Sequence, residues 1–145
     1  MADPVRVLVV ANRTAATPAL IEAVRERAAR GSATFTLLVP HVAHGLHKVV
    51  DAQDTDVSES EDVLELAVPL LEDAARGKVE GIVGDPEPLA AIQDAVNLRG
   101  YDEIILSTLP ARVSRWLKLD LPSKVGGLGL PVTHVEARER TTSEA

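Results

Sequence analysis

Short apolar runs rich in β-branched residues recur along this chain, and the intervals between them are patterned as helices. Val5 to Ala11 reads VRVLVVA and Ala33 to Val39 reads ATFTLLV. Runs that are apolar on nearly every residue, rather than on every second one, fit strands buried on both faces. Between them, Thr17-Pro18 supplies a cap and a first helical residue. Leu20, Ile21, Val24 and Ala28 then recur at helical spacing, and Arg30-Gly31 closes the segment. This is one βαβ unit.

The unit repeats with other residues. Ser58 and Glu61 read as a capping box opening a helix through Val63, Ala67, Leu70, Leu71 and Ala74, which Arg76-Gly77 ends. Pro69 within it costs a hydrogen bond, about 3 kcal/mol, and predicts a kink or two shorter helices near Leu66 to Pro69. A third strand spans Val79 to Val83. Asp85-Pro86 then caps a helix with Leu89, Ile92 and Val96 inward and Arg99-Gly100 at its end. A strand at Glu103 to Ser107, a helix between Ala111 and Val125 and a last strand at Leu130 to Val135 complete the order βαβαβαβαβ. That order predicts an α/β domain with a parallel sheet and helices on both faces. Pro40 to Val57 reads as irregular, and residues 138–145 as a disordered polar tail on a domain of residues 1–137.

With 145 residues, the chain is expected to bury roughly two-thirds of its unfolded surface, enough for one core. It has no apolar run of the roughly 20 residues a membrane helix needs. Met1 to Arg6 has an acid and no apolar stretch, unlike a secretory signal, so a cytoplasmic location is expected. The absence of Cys removes disulfides, thiolate nucleophiles and Cys-ligated zinc. The net charge of -7 argues against nucleic acid as a partner. Seven acids between Asp51 and Glu65, with no base among them, equal that whole charge. They read as a solvated loop feeding a helix N-terminus, where the macrodipole favours acids.

Open parallel sheets bind ligands beyond the carboxyl ends of their strands, where strand order reverses. The residues at those ends are Asn12-Arg13-Thr14, Val39-Pro40-His41, Gly84-Asp85 and Ser107-Thr108-Leu109-Pro110. None of them carries a Walker A loop, a G-x-G-x-x-G turn or a G-x-S-x-G nucleophile elbow.

Three segments, VLVVANRT, GIVGDPEPLAAIQDAVNLRGYDEIILST and LPVTHV, together resemble the universal stress protein family from about Val5 to Val135. The resemblance implies a doubly wound five-stranded parallel sheet of order 3-2-1-4-5, a homodimer and, in many members, an adenine nucleotide between strands one and four. Nucleotide-binding members carry an Asp after strand one and G-x2-G-x9-G-[ST] after strand four. Here the Asp position holds Asn12, the three glycine positions hold Ser107, Pro110 and Asp120, and the hydroxyl position holds Leu121. Pro110 removes a backbone donor, and glycine's close approach to phosphate is lost. At an effective dielectric near 20, Asp120 about 5 Å from a phosphate charge would repel it by roughly 3 kcal/mol. The usual ATP mode is therefore expected to be lost.

The candidate ligand-binding residues are Asn12, Thr14, Val39, Pro40, Gly84, Ser107, Thr108, Arg112 and Arg115. Arg112, Arg115 and Lys118 recur every three residues and would share a basic helix face able to hold an anion. Trp116 beside them is expected to fill a groove or a dimer seam. His41, His44 and His47 are weak metal candidates, because Pro40 and Gly45 disfavour the helix that would converge them on zinc. No metal and no certain cofactor follow, and no catalytic residue is assigned. The leading reading is a non-enzymatic regulatory homodimer paired through residues 130–135. The alternatives are a regulator that binds an adenine nucleotide or another small anion in an altered pocket, and an enzyme akin to adenine-nucleotide hydrolases.

Overall fold

A computed structural model describes residues 4–40, 52–84, 87–110 and 114–137, the side chains of Arg13 and residues 52–59 excepted. Its strands are β1 (Val5–Val10), β2 (Ala33–Pro40), β3 (Val79–Gly84), β4 (Glu103–Thr108) and β5 (Val132–Glu136). All neighbours pair in parallel, in the order β3-β2-β1-β4-β5. The expected α/β sheet and its strand order are thus observed. The expected strand limits hold to within a residue or two. β5 begins at Val132, and Leu130 packs on the core from the turn before it.

The helices are α1 (Pro18–Ala29), α2 (Ala52–Ala75), α3 (Pro88–Arg99), α4 (Arg115–Lys118) and α5 (Leu121–Gly126), with a 3-10 turn at Arg13–Ala16. Side chains of a strand alternate between its faces, so β1 feeds two cores. Val7 and Val9 meet Leu20 and Val24 of α1 and Ala67 and Leu71 of α2 on one face. Leu8 and Val10 meet Ile92 of α3 and Leu121 and Val125 of α5 on the other.

Several helix limits differ from the sequence reading. α2 starts at Ala52, so Ser58 lies inside the helix rather than capping it, and residues 52–57 are helical rather than irregular. The acid run is correspondingly helix rather than loop from Ala52 onward, as acids near a helix N-terminus permit. α2 also runs unbroken through Pro69. Its packing against α1, β2 and β3 outweighs the one lost hydrogen bond. The helix ends on Arg76 in the left-handed region (φ 58°), with the Gly77 N–H donating to the Glu72 carbonyl. α3 is capped by Glu87, whose carboxylate accepts from the Ala90 N–H at 2.8 Å, with Pro88 as first helical residue. The cap is therefore one acid-proline pair later than Asp85-Pro86, which lies outside the described residues. The single fourth helix is replaced by α4 and α5, divided at Asp120. Residues 138–145 lie outside the described residues.

A bidentate ion pair ties α1 to the sheet. Arg27 donates from Nε to Glu103 Oε1 at 2.9 Å and from Nη2 to Oε2 at 3.0 Å. Arg27 is buried, whereas the Glu103 side chain keeps 28% exposure. At the same end of the sheet the Arg6 N–H donates to Asp102, and the Arg6 guanidinium donates to the Arg99 carbonyl while lying over the Tyr101 ring.

Replacing Glu103 by Gln leaves Arg27 buried without its charge partner. Removing one partner of a fully buried pair costs about 3–5 kcal/mol, and the exposure of Glu103 lowers the expected loss to about 2 kcal/mol. Urea denaturation of Glu103→Gln checks this, and Arg27→Met with Glu103→Leu is expected to recover part of the loss.

Candidate functional site

β1 is the branch point of the sheet, because the chain leaves it for β2 on one side and reaches β4 on the other only after β3. The crevice beyond the ends of β1 and β4 is the place where such sheets hold ligands. Ala11, wholly buried, follows the strand, and the 3-10 turn then brings Thr14 back over the sheet edge. Thr14 and Ser107 are 3% and 1% exposed, and their hydroxyls share a hydrogen bond of 2.7 Å. Thr17 does not cap α1 with its side chain. Its hydroxyl donates to the Thr14 carbonyl at 2.8 Å, holding the turn from below. Asn12 Oδ1 is buried with no hydrogen-bond partner among the described residues. Such an acceptor calls for an explanation, since an unsatisfied buried group costs roughly 1–3 kcal/mol.

On the far side of β4, Thr108 donates to the Leu109 carbonyl at 2.9 Å and meets His134 Nε2 at 2.9 Å. Which of the two donates depends on the tautomer of the His134 ring. The Ala137 N–H donates to the Thr108 carbonyl at 2.8 Å and extends the ladder past β5.

The structure therefore brings together Asn12, Thr14 and Ser107. Thr108 lies beside them but is bonded toward β5. Val39 and Pro40 are buried at the end of β2, with Val39 in the α1–α2 core. Gly84 stands two strands from β1 and has a packing role. A Cβ there would lie 2.8 Å from Leu38 Cδ1 and 2.9 Å from Ala91 Cβ, so its bare backbone lets α3 approach β3. Arg115 and Lys118 are exposed on the four-residue α4. Arg112, His41, His44 and His47 lie outside the described residues. Among the described residues no three His, Asp or Glu side chains are grouped for a metal. Trp116 is half-buried and packs against the α3–α5 core, as a groove filler would. The link from His134 to Thr108 escaped the sequence reading. Its signal is the register, in which His134 sits opposite Leu106, two residues from Thr108 on one face of β4.

Asp120, at the third glycine position, has φ 58° and ψ 39° and makes no side-chain cap. The left-handed backbone that favours glycine is kept there without the glycine. Ser114 caps α4 by accepting from the Leu117 N–H at 3.0 Å.

No protein-family model and no curated protein sequence matches the chain. Solved structures do. The universal stress protein from Archaeoglobus fulgidus is 16% identical, with a TM-score of 0.65 over 90% of this chain and 93% of its own. A universal stress protein in complex with cAMP is 15% identical, with a TM-score of 0.60 over 90% of this chain and 96% of its own. A hypothetical protein is 18% identical, with a TM-score of 0.60 over 93% and 98% of the two chains. At these identities the likeness is one of fold. The chain has the α/β fold of the universal stress proteins, and the resemblance carried by its sequence segments is matched by its architecture.

Asp120→Gly is expected to raise stability by about 0.5 kcal/mol, because relief of the left-handed backbone outweighs the added chain entropy of glycine. Thermal unfolding of the variant beside Asp120→Val, which is expected to lose about 1 kcal/mol or more, checks the sign.

Proposed function

We propose that this chain is a non-enzymatic regulatory protein of the universal stress protein kind, whose crevice between β1 and β4 does not hold ATP in the glycine-loop manner. The Thr14–Ser107 hydrogen bond carries the reading. A buried side chain already engaged with its neighbour stands where the family pattern has a glycine open to phosphate. Pro110 offers no N–H, and Asp120 adds a negative charge. Calorimetric titration with Mg-ATP is expected to give a dissociation constant weaker than about 100 μM, and a value in the low micromolar range, near -8 kcal/mol, overturns the proposal.

One observation favours a second reading, in which the same crevice takes an adenine nucleotide of low charge or another small anion. Asn12 Oδ1 is an acceptor with no partner among the described residues at the branch point, matching the amino group of an adenine. A structural neighbour is in complex with cAMP, and a cyclic monophosphate carries far less negative charge than a triphosphate to be opposed by Asp120. Mass spectrometry of small molecules released on denaturing the purified protein separates the readings. An empty protein supports the first. A stoichiometric adenine nucleotide, retained by the parent and lost from a stably folded Asn12→Ala, supports the second. The third reading, an enzyme akin to adenine-nucleotide hydrolases, requires turnover that a pocket substitution abolishes.

The reading includes a homodimer paired through residues 130–135. β5 is an edge strand whose Val132 and Val135 are half-buried beside exposed Thr133 and His134, and pairing it with its own copy would close that edge. Light scattering of Val132→Asp is expected to show association reduced from that of the parent by the charge stranded in the seam. A parent that is monomeric at tens of micromolar, or a variant that associates as fully as the parent, overturns it.

A further inference from the structure

Among the described residues β3 is the other edge of the sheet, and it carries a second constellation two strands from the crevice. β3 reads VEGIVG, with Glu80 as its one charge, and an unpaired apolar edge of this kind is a template for another strand. Beside it lies a groove of about 390 Å³, walled by Ile82 and Val83 on β3 and by Ala91, Ala95 and Leu98 on α3, with Asp94 and Arg99 as its charged groups. Leu98 is 83% exposed. A projecting Leu and an empty groove floored by alanines thus stand side by side on one helix.

Two contacts set the level of helix against strand. At one end Gly84 meets Ala91, where a Cβ would lie 2.9 Å from the Ala91 methyl. At the other, Arg99 donates to Glu80 at 2.8 Å, which also holds the Glu80 carboxyl below the usual carboxylate range. Halfway between these contacts stand Ile82 on the strand and Ala95 on the helix. A single two-fold axis perpendicular to the sheet can therefore pass at the midpoint of both elements.

We propose that a second copy of this chain docks on this face, β3 pairing antiparallel with its own copy about that axis while each Leu98 enters the other's groove against Ala91. α3 rests on both β2 and β3. Crossing a shared ladder therefore separates the two α3 helices by two strand spacings, roughly 9.6 Å, within the roughly 8–10 Å at which helices pack. Centring on Ile82 sets Glu80 opposite the second copy's Gly84, so the like charges do not meet. On the antiparallel helices Asp94 and the second copy's Arg99 are offset by three residues, about 4.5 Å along the axis, within the reach of an arginine side chain. Arg99 has N–H donors enough for both Asp94 and Glu80. The interface is isologous, a projection and a groove on one copy meeting a groove and a projection on the other.

Leu98→Arg changes a side chain that the folded monomer leaves in solvent, so loss of association is separable from unfolding. Light scattering is expected to show that the parent associates and that Leu98→Arg weakens the association by at least roughly tenfold. Val132→Asp alone should leave an associated species that adding Leu98→Arg dissolves, which distinguishes this interface from the one through β5. The chain has no Cys, so a single Leu98→Cys can be bridged by a short bismaleimide. A cross-linked dimer from Leu98→Cys, absent from Leu66→Cys on the solvent side of α2, supports the proposal. A monomeric parent, an assembly indifferent to Leu98→Arg, or equal cross-linking at both positions overturns it.

Discussion

Val7, Leu8, Val9, Val10 and Ala11 have no exposed surface, and the rest of the molecule is arranged to make that possible. A strand in this state needs a ladder on each edge, which β2 and β4 supply, and an apolar layer on each face. The odd residues require α1 and α2, and the even ones require α3 and α5. A chain that meets these demands has little choice about where β1 ends. It delivers Asn12 to the point where the sheet divides, with Thr14 folded back over it and Ser107 arriving from the adjacent strand. The crevice is therefore a by-product of burying β1, and its position is more strongly determined than its chemistry.

That separation runs through the site. The backbone at Asp120 takes the left-handed conformation that glycine adopts most readily, while the residue itself carries a negative charge. Ser107 keeps its place at the end of β4 but turns its hydroxyl to Thr14. A path can be retained while the groups along it change purpose, which is why a shared architecture at 15–18% identity says more about the path than about the ligand.

The alternation of strands and helices, the order of the sheet and most of the core were legible in the sequence, because uninterrupted apolar runs such as VRVLVVA have few other uses. The failures have a common cause. Local end signals were read as decisive where several competed. The segment DPEP contains two acid-proline pairs, and the nearness of Gly84 to Ala91 is a tertiary fact that selects between them. Ser58 and Glu61 form an acceptable capping box, but Ala52 to Val57 contains nothing that stops a helix, and packing along α2 extends it upstream. Pro69 signals a break only when nothing holds the helix together around it. In the crevice, the residues at strand ends could be named from sequence, but their partners could not. The pairing of Thr14 with Ser107 depends on a turn geometry, and that of Thr108 with His134 depends on the register of β5.

The length of α2 has an electrostatic consequence. Its 24 residues extend about 36 Å, against roughly 20 Å for the six residues of β3. Since its last turn leads into the start of β3 and its earlier turns touch the 3-10 turn after β1, the surplus length projects past the ligand-bearing edge. In sequence that part of the helix is charged only by Asp54, Asp56 and Glu59. Were the crevice to take an anion, a negatively charged overhang of this kind would slow its capture at low ionic strength, and added salt would quicken it.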